Sequence, residues 1–248
     1  MKHFILFLLL VITQYGCQKM SDQPILPLGG DAYQKYVASG TGQKSLNPFG
    51  KMKDIDGNTY KTIKINNLIW MAENLKVTRY KNGDLIAHIP DASSWVTTNQ
   101  GAWCDYDNLS PNDATYGKMY NFFAVSDSRG LAPKGWHIPT LTEWNNIVNY
   151  LGGYYLAGGP MKEMGLLHWL SPNYGATNSS NFTGLPCGVR NYTTGVFSEV
   201  GQSGFWWGST PYNIDNATII KIDNITTIAG IGYAQMNYGF AIRCVQDY

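Results

Sequence analysis

The sequence has no run of lysine or arginine anywhere in its 248 residues, and its formal net charge is only +1. That lack removes the broad basic footprint of a nucleic-acid binder, so neither DNA nor RNA is expected as a partner. No two cysteines stand at the short spacing of a structural zinc site. No Gly-x-Ser-x-Gly elbow is present, and no His/Asp/Ser set stands out, so nothing points to hydrolysis. No internal repeat is visible. Charged residues are scarce at 14%, and aromatic residues equal them at 14%, with 27 glycines besides. Such a chain should be rich in turns and in aromatic packing. Its length and 44% hydrophobic content suffice for one substantial core.

The longest apolar run, Phe4 to Ile12, is nine residues, far short of the roughly 20 that a bilayer-spanning helix needs. Lys2 and His3 precede it, and "TQYGC" follows, with a small residue directly before Cys17. This resembles a bacterial lipoprotein signal covering residues 1–17, in which Cys17 becomes the acylated N-terminus; an ordinary secretory signal is the alternative. More than one acyl chain on Cys17 would give a stable membrane anchor. The remaining cysteines, Cys104, Cys187 and Cys244, are an odd number in an export context that permits disulfides, and any pairing among them is open.

Residues 18–50 mix Pro, Gly, Ser and Lys without apolar periodicity and read as a flexible tether. The head, 51–248, opens with "DIDGNTYKTIKI", where turn chemistry is followed by alternation through Tyr60, Thr62, Ile63 and Ile65, an early strand or hairpin. Residues 78–114 are polar and turn-rich. Tyr116, Met119, Tyr120 and Phe123 then fall at i, i+3, i+4 and i+7, predicting an amphipathic helix with a buried aromatic stripe.

"GWHIPTLTEW", from Gly135 to Trp144, is the most compact set of chemically capable residues. Thr140 and Glu143 match a capping box, which gives the glutamate a structural task. Pro139 disfavours helix at Ile138, so a helix should start at Leu141. Trp144, Ile147, Val148 and Leu151 form its apolar face, and Gly152-Gly153 provides a left-handed stop. His137 is then a packing residue in the loop before the helix rather than a general base. From residue 181 on, short apolar runs such as "GVFSEVG", "GFWWGST" and "ATIIKIDN" are split by Gly, Asn and Ser, as in an antiparallel sheet. Strands first, two helices in the middle and strands last make the class α+β.

The ordered motifs "GAWCDYDN", "TYGKMYNFFAV", "LAPKGWHIPTLTEW", "AGGPMKEMG", "NFTGLPCGVR", "GFWWGST" and "YGFAIRCVQD" resemble the Fibrobacter succinogenes major paralogous domain family, from about residue 53 to the C-terminus. That family occurs in exported and surface proteins of Bacteroidetes-like bacteria. "GWHIPTLTEW" and "GFAIRCV" also look like elements of formylglycine-generating-type domains. The resemblance implies a C-type-lectin-like domain with a small antiparallel sheet, two helices and long irregular loops, its two ends meeting in one sheet. Cys187 stands where the family more usually shows glycine, so the resemblance implies a Cys104–Cys244 disulfide.

A formylglycine-generating-type oxidase would need a close cysteine pair for copper near the C-terminus, and Cys244 stands alone there. The expectation is therefore a non-enzymatic protein without a cofactor, lipid-anchored to the outer membrane and displayed at the cell surface. Its role would be ligand binding or adhesion, with carbohydrate as the candidate ligand; the alternative is an accessory subunit docked on an outer-membrane protein partner. Rings that stack on sugars are Trp95, Trp103, Trp169, Trp207 and Tyr212, the competing use of each being packing beneath loops. Neighbours in a strand point to opposite faces, so of Trp206 and Trp207 one should be core while the other is free to reach the surface. In "DYDNLSPND", Asp105, Asp107, Asn108 and Asp113 offer oxygen donors to a metal ion, without the glycine and distal glutamate of a calcium loop.

Overall fold

A computed structural model describes residues 49–248. The expected signal, the acylated Cys17 and the tether up to residue 48 lie outside the described residues. The first described strand, β1 (Gly50–Lys53), forms a hairpin with β2 (Thr59–Ile65). The turn between them is built by Asp54, whose carboxylate accepts from the backbone N–H groups of Asp56 and Asn58 and from the Tyr60 hydroxyl at 2.6 Å. Tyr60, Thr62, Ile63 and Ile65 are the buried positions of β2, as the sequence pattern predicts. β3 (Leu68–Met71) continues the meander.

The middle of the chain holds only short elements: β4 (Ala87–His88), α1 (Ala92–Thr97), β5 (Ala102–Cys104), α2 (Pro111–Tyr116), β6 (Met119–Tyr120), α3 (Phe122–Val125) and β7 (Trp136–His137). The single helix expected across 116–123 is not formed. Gly117 sits at φ 70°, and a side chain there would press on the Leu75 carbonyl and on Asn74, so the helix breaks. Met119 and Tyr120 then pair as a strand with Cys104 and Trp103. The aromatic stripe is nonetheless buried in part: Tyr120 and Met119 lie in the interior.

The longest helix among the described residues, α4 (Leu141–Tyr150), starts where the proline and capping box place it. Thr140 Oγ1 accepts from the Glu143 N–H, and Glu143 Oε2 accepts from the Thr140 N–H at 2.8 Å. Gly152 and Gly153 follow at positive φ and close it. Beyond a single turn of helix, α5 (Gly158–Met161), come β8 (Cys187–Arg190), β9 (Phe197–Val200), β10 (Ser203–Pro211), β11 (Asn216–Asp223), β12 (Ala229–Gln235) and β13 (Val245–Gln246).

These strands make four sheets: a five-stranded one in the order β1-β2-β3-β13-β7, a three-stranded meander β10-β11-β12, a small mixed sheet β4-β5-β6 and the β8-β9 pair. The fold is thus mixed α+β with several small, mainly antiparallel sheets and few helices. Both ends of the head meet in the five-stranded sheet, since Val245 pairs with Trp70 and with His137.

Trp206 and Trp207 point to opposite faces of β10, and both are fully buried. Each face carries its own hydrophobic cluster: Trp207 lies with Phe122, Phe240 and Ile242, and Trp206 lies with Phe182, Trp144 and Ile220. The expectation of one surface indole fails because β10 is covered on both sides.

Candidate functional site

Of the five rings proposed for ligand contact, three are interior. Trp95, Trp169 and Trp207 are at most 1% exposed. Each indole N–H donates to a backbone carbonyl, of Asn237, Gly184 and Tyr120 respectively. A buried tryptophan usually finds such a partner, and here the carbonyls of Gly184 and Tyr120 each accept a backbone N–H as well, from Glu163 and Phe240.

Trp95 and Trp169 also lie against buried cations, which the sequence reading missed. The Arg190 guanidinium is stacked 4.5 Å over Trp95 and donates to the carbonyls of Gly195, Ile89 and Pro90. Lys162 Nζ, 5.8 Å from the Trp169 ring, donates to the carbonyls of Tyr174, Asp223 and Thr226 at 2.7–2.9 Å. Burial pushes the Lys162 pKa down to about 8, so at neutral pH the ammonium keeps all three donors. Arg243 donates to Asn74 Oδ1 and to the carbonyls of Phe182 and Thr183, and burial lowers its pKa to about 9. These side chains fasten distant loops to one another.

Trp103 is half-buried and packed between His88, stacked on it at 4.0 Å, and Lys118, whose Nζ lies 4.1 Å from its ring centroid. The same ammonium reaches Asp105 Oδ1 at 2.9 Å and Asp113 Oδ1 at 3.4 Å. This corrects the metal expectation: the lysine occupies the cation's place between Asp105 and Asp113, while Asp107 is exposed. No group of three or more metal-ligating side chains occurs among the described residues. Burial raises the pKa of Asp113.

The implied disulfide is corrected as well. Cys104, Cys187 and Cys244 are all free and buried, Cys104 and Cys244 in different hydrophobic clusters. The contact of Cys244 is Met71, whose sulfur accepts its backbone N–H.

His137 proves to be a tie. Its Nε2 is 2.8 Å from Glu143 Oε1 and its Nδ1 is 2.8 Å from Asp247 Oδ1. Two carboxylate neighbours call for a proton on both ring nitrogens, the imidazolium form. Burial opposes that charge, but the two hydrogen bonds outweigh it and the pKa is raised above 6.5.

Tyr212 alone of the proposed rings is largely exposed, at 60%, and it has a companion. Tyr233, on the edge strand β12, stacks against it with ring centroids 3.9 Å apart and planes inclined by 17°. The turn beneath is fixed: Asn213 Oδ1 accepts from the backbone N–H of Asp215 and Asn216, and the Tyr212 N–H donates to the Asn216 carbonyl. The two parallel rings are exposed, with Asn213 next to Tyr212 in the chain and Gln235 two positions beyond Tyr233 on the same strand. Tyr233 was missed because the glycines of "AGIGYAQ" blur the alternation of its strand.

A separate cleft of about 420 Å³ lies between Leu85, Asn99, Gln100, Phe123, Asp127 and Arg129. Its charges are already matched, since Arg129 grips Asp127 through Nε and Nη2 and holds that carboxyl down at about 2. An uncharged polar guest suits it better than an anion.

The Fibrobacter succinogenes major domain matches residues 63–246 of the chain. No curated protein and no solved structure matches it.

Proposed function

The chain belongs to the Fibrobacter succinogenes major domain family, and from that premise we propose that it is a non-enzymatic, glycan-binding protein of the cell envelope. In this reading Cys17 carries the lipid, the outer membrane holds the anchor, and the head is displayed at the cell surface with a C-type-lectin-like arrangement. The observation that carries the glycan assignment is the Tyr212–Tyr233 pair: parallel, exposed rings, with Asn213 adjacent to Tyr212 in the chain and Gln235 two positions from Tyr233 on β12. Sugar rings present apolar C–H faces to aromatic planes and hydroxyls to amides, so such a surface suits a neutral saccharide. The self-neutralised cleft at Asp127 and Arg129 has the same preference. The burial of Cys244 beside Met71, away from any second thiol, weighs against copper-dependent oxidation.

The test is a glycan array followed by affinity electrophoresis with the polysaccharides that bind. Tyr212→Ala and Tyr233→Ala should each weaken binding about tenfold, roughly 1.4 kcal/mol, with the fold intact by circular dichroism. Unchanged binding in the double variant, or no glycan bound at all, defeats the reading.

A second reading, docking on an outer-membrane protein, is favoured by one feature. Met164, Leu166, Leu167 and Leu170 stand exposed on a single loop, Leu167 at 81%. Mild detergent extraction should then yield a stoichiometric protein partner that Leu167→Glu releases.

A further inference from the structure

The register of the small mixed sheet brings together three groups that the binding surface does not use. Trp103 pairs with Tyr120 and Cys104 with Met119, so the next step along the antiparallel ladder sets Asp105 opposite Lys118. Both side chains are about 8% exposed, and Lys118 Nζ lies 2.9 Å from Asp105 Oδ1. Asp113 enters from α2, with its Oδ1 buried, 3.4 Å from the same nitrogen and without a hydrogen-bond partner. The Trp103 ring, 4.1 Å from the nitrogen, shields one side.

An amine and a carboxylate held in contact away from water, with a second carboxyl beside them, are the reactants and the proton carrier of an amide condensation. We propose that Lys118 and Asp105 are joined by an intramolecular isopeptide bond, formed with Asp113 as the proton carrier. The ammonium of Lys118 gives up a proton through Asp113 to the Asp105 carboxylate. The free amine attacks Asp105 Cγ, and a tetrahedral adduct forms. The Nζ–Cγ bond is completed, one Cγ–O bond breaks, and the oxygen leaves as water with the protons the nitrogen has lost. Ammonium and carboxylate become amide and water, with no change of oxidation state and no external reagent, and Asp113 ends as it began. A held geometry supplies the effective concentration that makes such a step feasible, and a desolvated lysine is the form that acts as a nucleophile.

The product would close a covalent ring around the turn-rich segment "DYDNLSPNDATYGK", 105–118, which crosses the protein surface with only short helical turns of its own.

The test is tryptic digestion of the full-length protein with tandem mass spectrometry. No lysine or arginine lies between Lys81 and Lys118, and the next after Lys118 is Arg129. Trypsin does not cut after an amidated lysine, so the expected product is peptide 82–129, uncut at Lys118 and lighter by one water. Fragmentation should show no backbone ions separating residue 105 from 118. Asp113→Asn should restore cutting after Lys118 and the full mass. Asp105→Asn should give the same cross-linked product by loss of ammonia, and Asp105→Ala none. A water loss located at another aspartate leaves Lys118 cleavable and overturns the proposal, as does recovery of peptide 82–118 at full mass from the unaltered protein.

Discussion

Lys162, Arg190 and Arg243 each carry a positive charge to the interior, at 1% exposure or less, and none donates to a carboxylate. Their partners are backbone carbonyls, of loops except for Asp223 at the end of β11, together with the Asn74 side chain. A chain with few long elements leaves many carbonyls without ladder partners, and each buried one is costly. A cation with several donors satisfies two or three at once and ties segments far apart in sequence, as Arg190 ties β8 to residues 89 and 90. None of this was legible in the sequence, because a backbone carbonyl has no residue identity. The tryptophans misread as ligand contacts fail for the same reason: Trp95 and Trp169 sit in polar, turn-rich segments, yet loop carbonyls and cations bury them. Lys162→Met keeps the stem and removes the donors, leaving the carbonyls of Tyr174, Asp223 and Thr226 unpaired. The expected loss is on the order of 3 kcal/mol in urea denaturation, whereas Lys134→Met at an exposed lysine should cost little. A loss below about 1 kcal/mol for Lys162→Met would mean that water replaces the ammonium.

At the scale of elements, what is encoded within a few neighbouring residues was readable. The α4 capping box, its proline-set start and its glycine stop are local devices, and the structure has all of them. The stripe from Tyr116 to Phe123 had the right period but a glycine at its second position, and Gly117 decided against a helix. His137 was readable as packing but not as the link to Asp247, 110 positions away. That link fastens the chain just after β13 to the first turn of α4, and it titrates. The folded pKa of His137 is raised, so its contribution is fully present below the ordinary value of 6.5 and is lost as pH rises through the folded value. Glu143 behaves oppositely. Burial raises its pKa, but the Thr140 and His137 hydrogen bonds outweigh this and lower it, so its contribution is present above 4.5 and fades as pH falls through the folded value. Thermal unfolding should therefore show highest stability between those limits, with a decline on the alkaline side that His137→Gln abolishes. An identical alkaline decline in that variant would assign the titration elsewhere.

Across the whole molecule, the sequence indicated the family, the mixed class and the meeting of both ends of the head in one sheet. It misjudged the cysteines, because an export signal and a family likeness favour a bridge while saying nothing of where the sulfurs lie. Cys104 belongs to the small cluster around Trp95 and Met119, Cys187 to the cluster around Trp206, and Cys244 to the one around Trp207. Three separate aromatic clusters hold one thiol each, and burial raises the pKa of Cys104 to about 12 and of Cys187 to about 11, and raises that of Cys244 as well. Thiolate is the reactive species, so two conditions protect these sulfurs at once: no access and no ionisation. Stability should then be independent of reductant, with the same melting temperature with and without dithiothreitol. A maleimide or iodoacetamide reagent at pH 8 should leave Cys104, Cys187 and Cys244 unmodified in the folded protein and alkylate all three in denaturant. Because the clusters pack on different elements, partial denaturation should expose the thiols in sequence if the head unfolds in stages, and together if it unfolds as one cooperative unit. A drop in melting temperature on reduction, or a Cys104–Cys244 linked peptide in a non-reducing digest, would restore the bridge and contradict this packing.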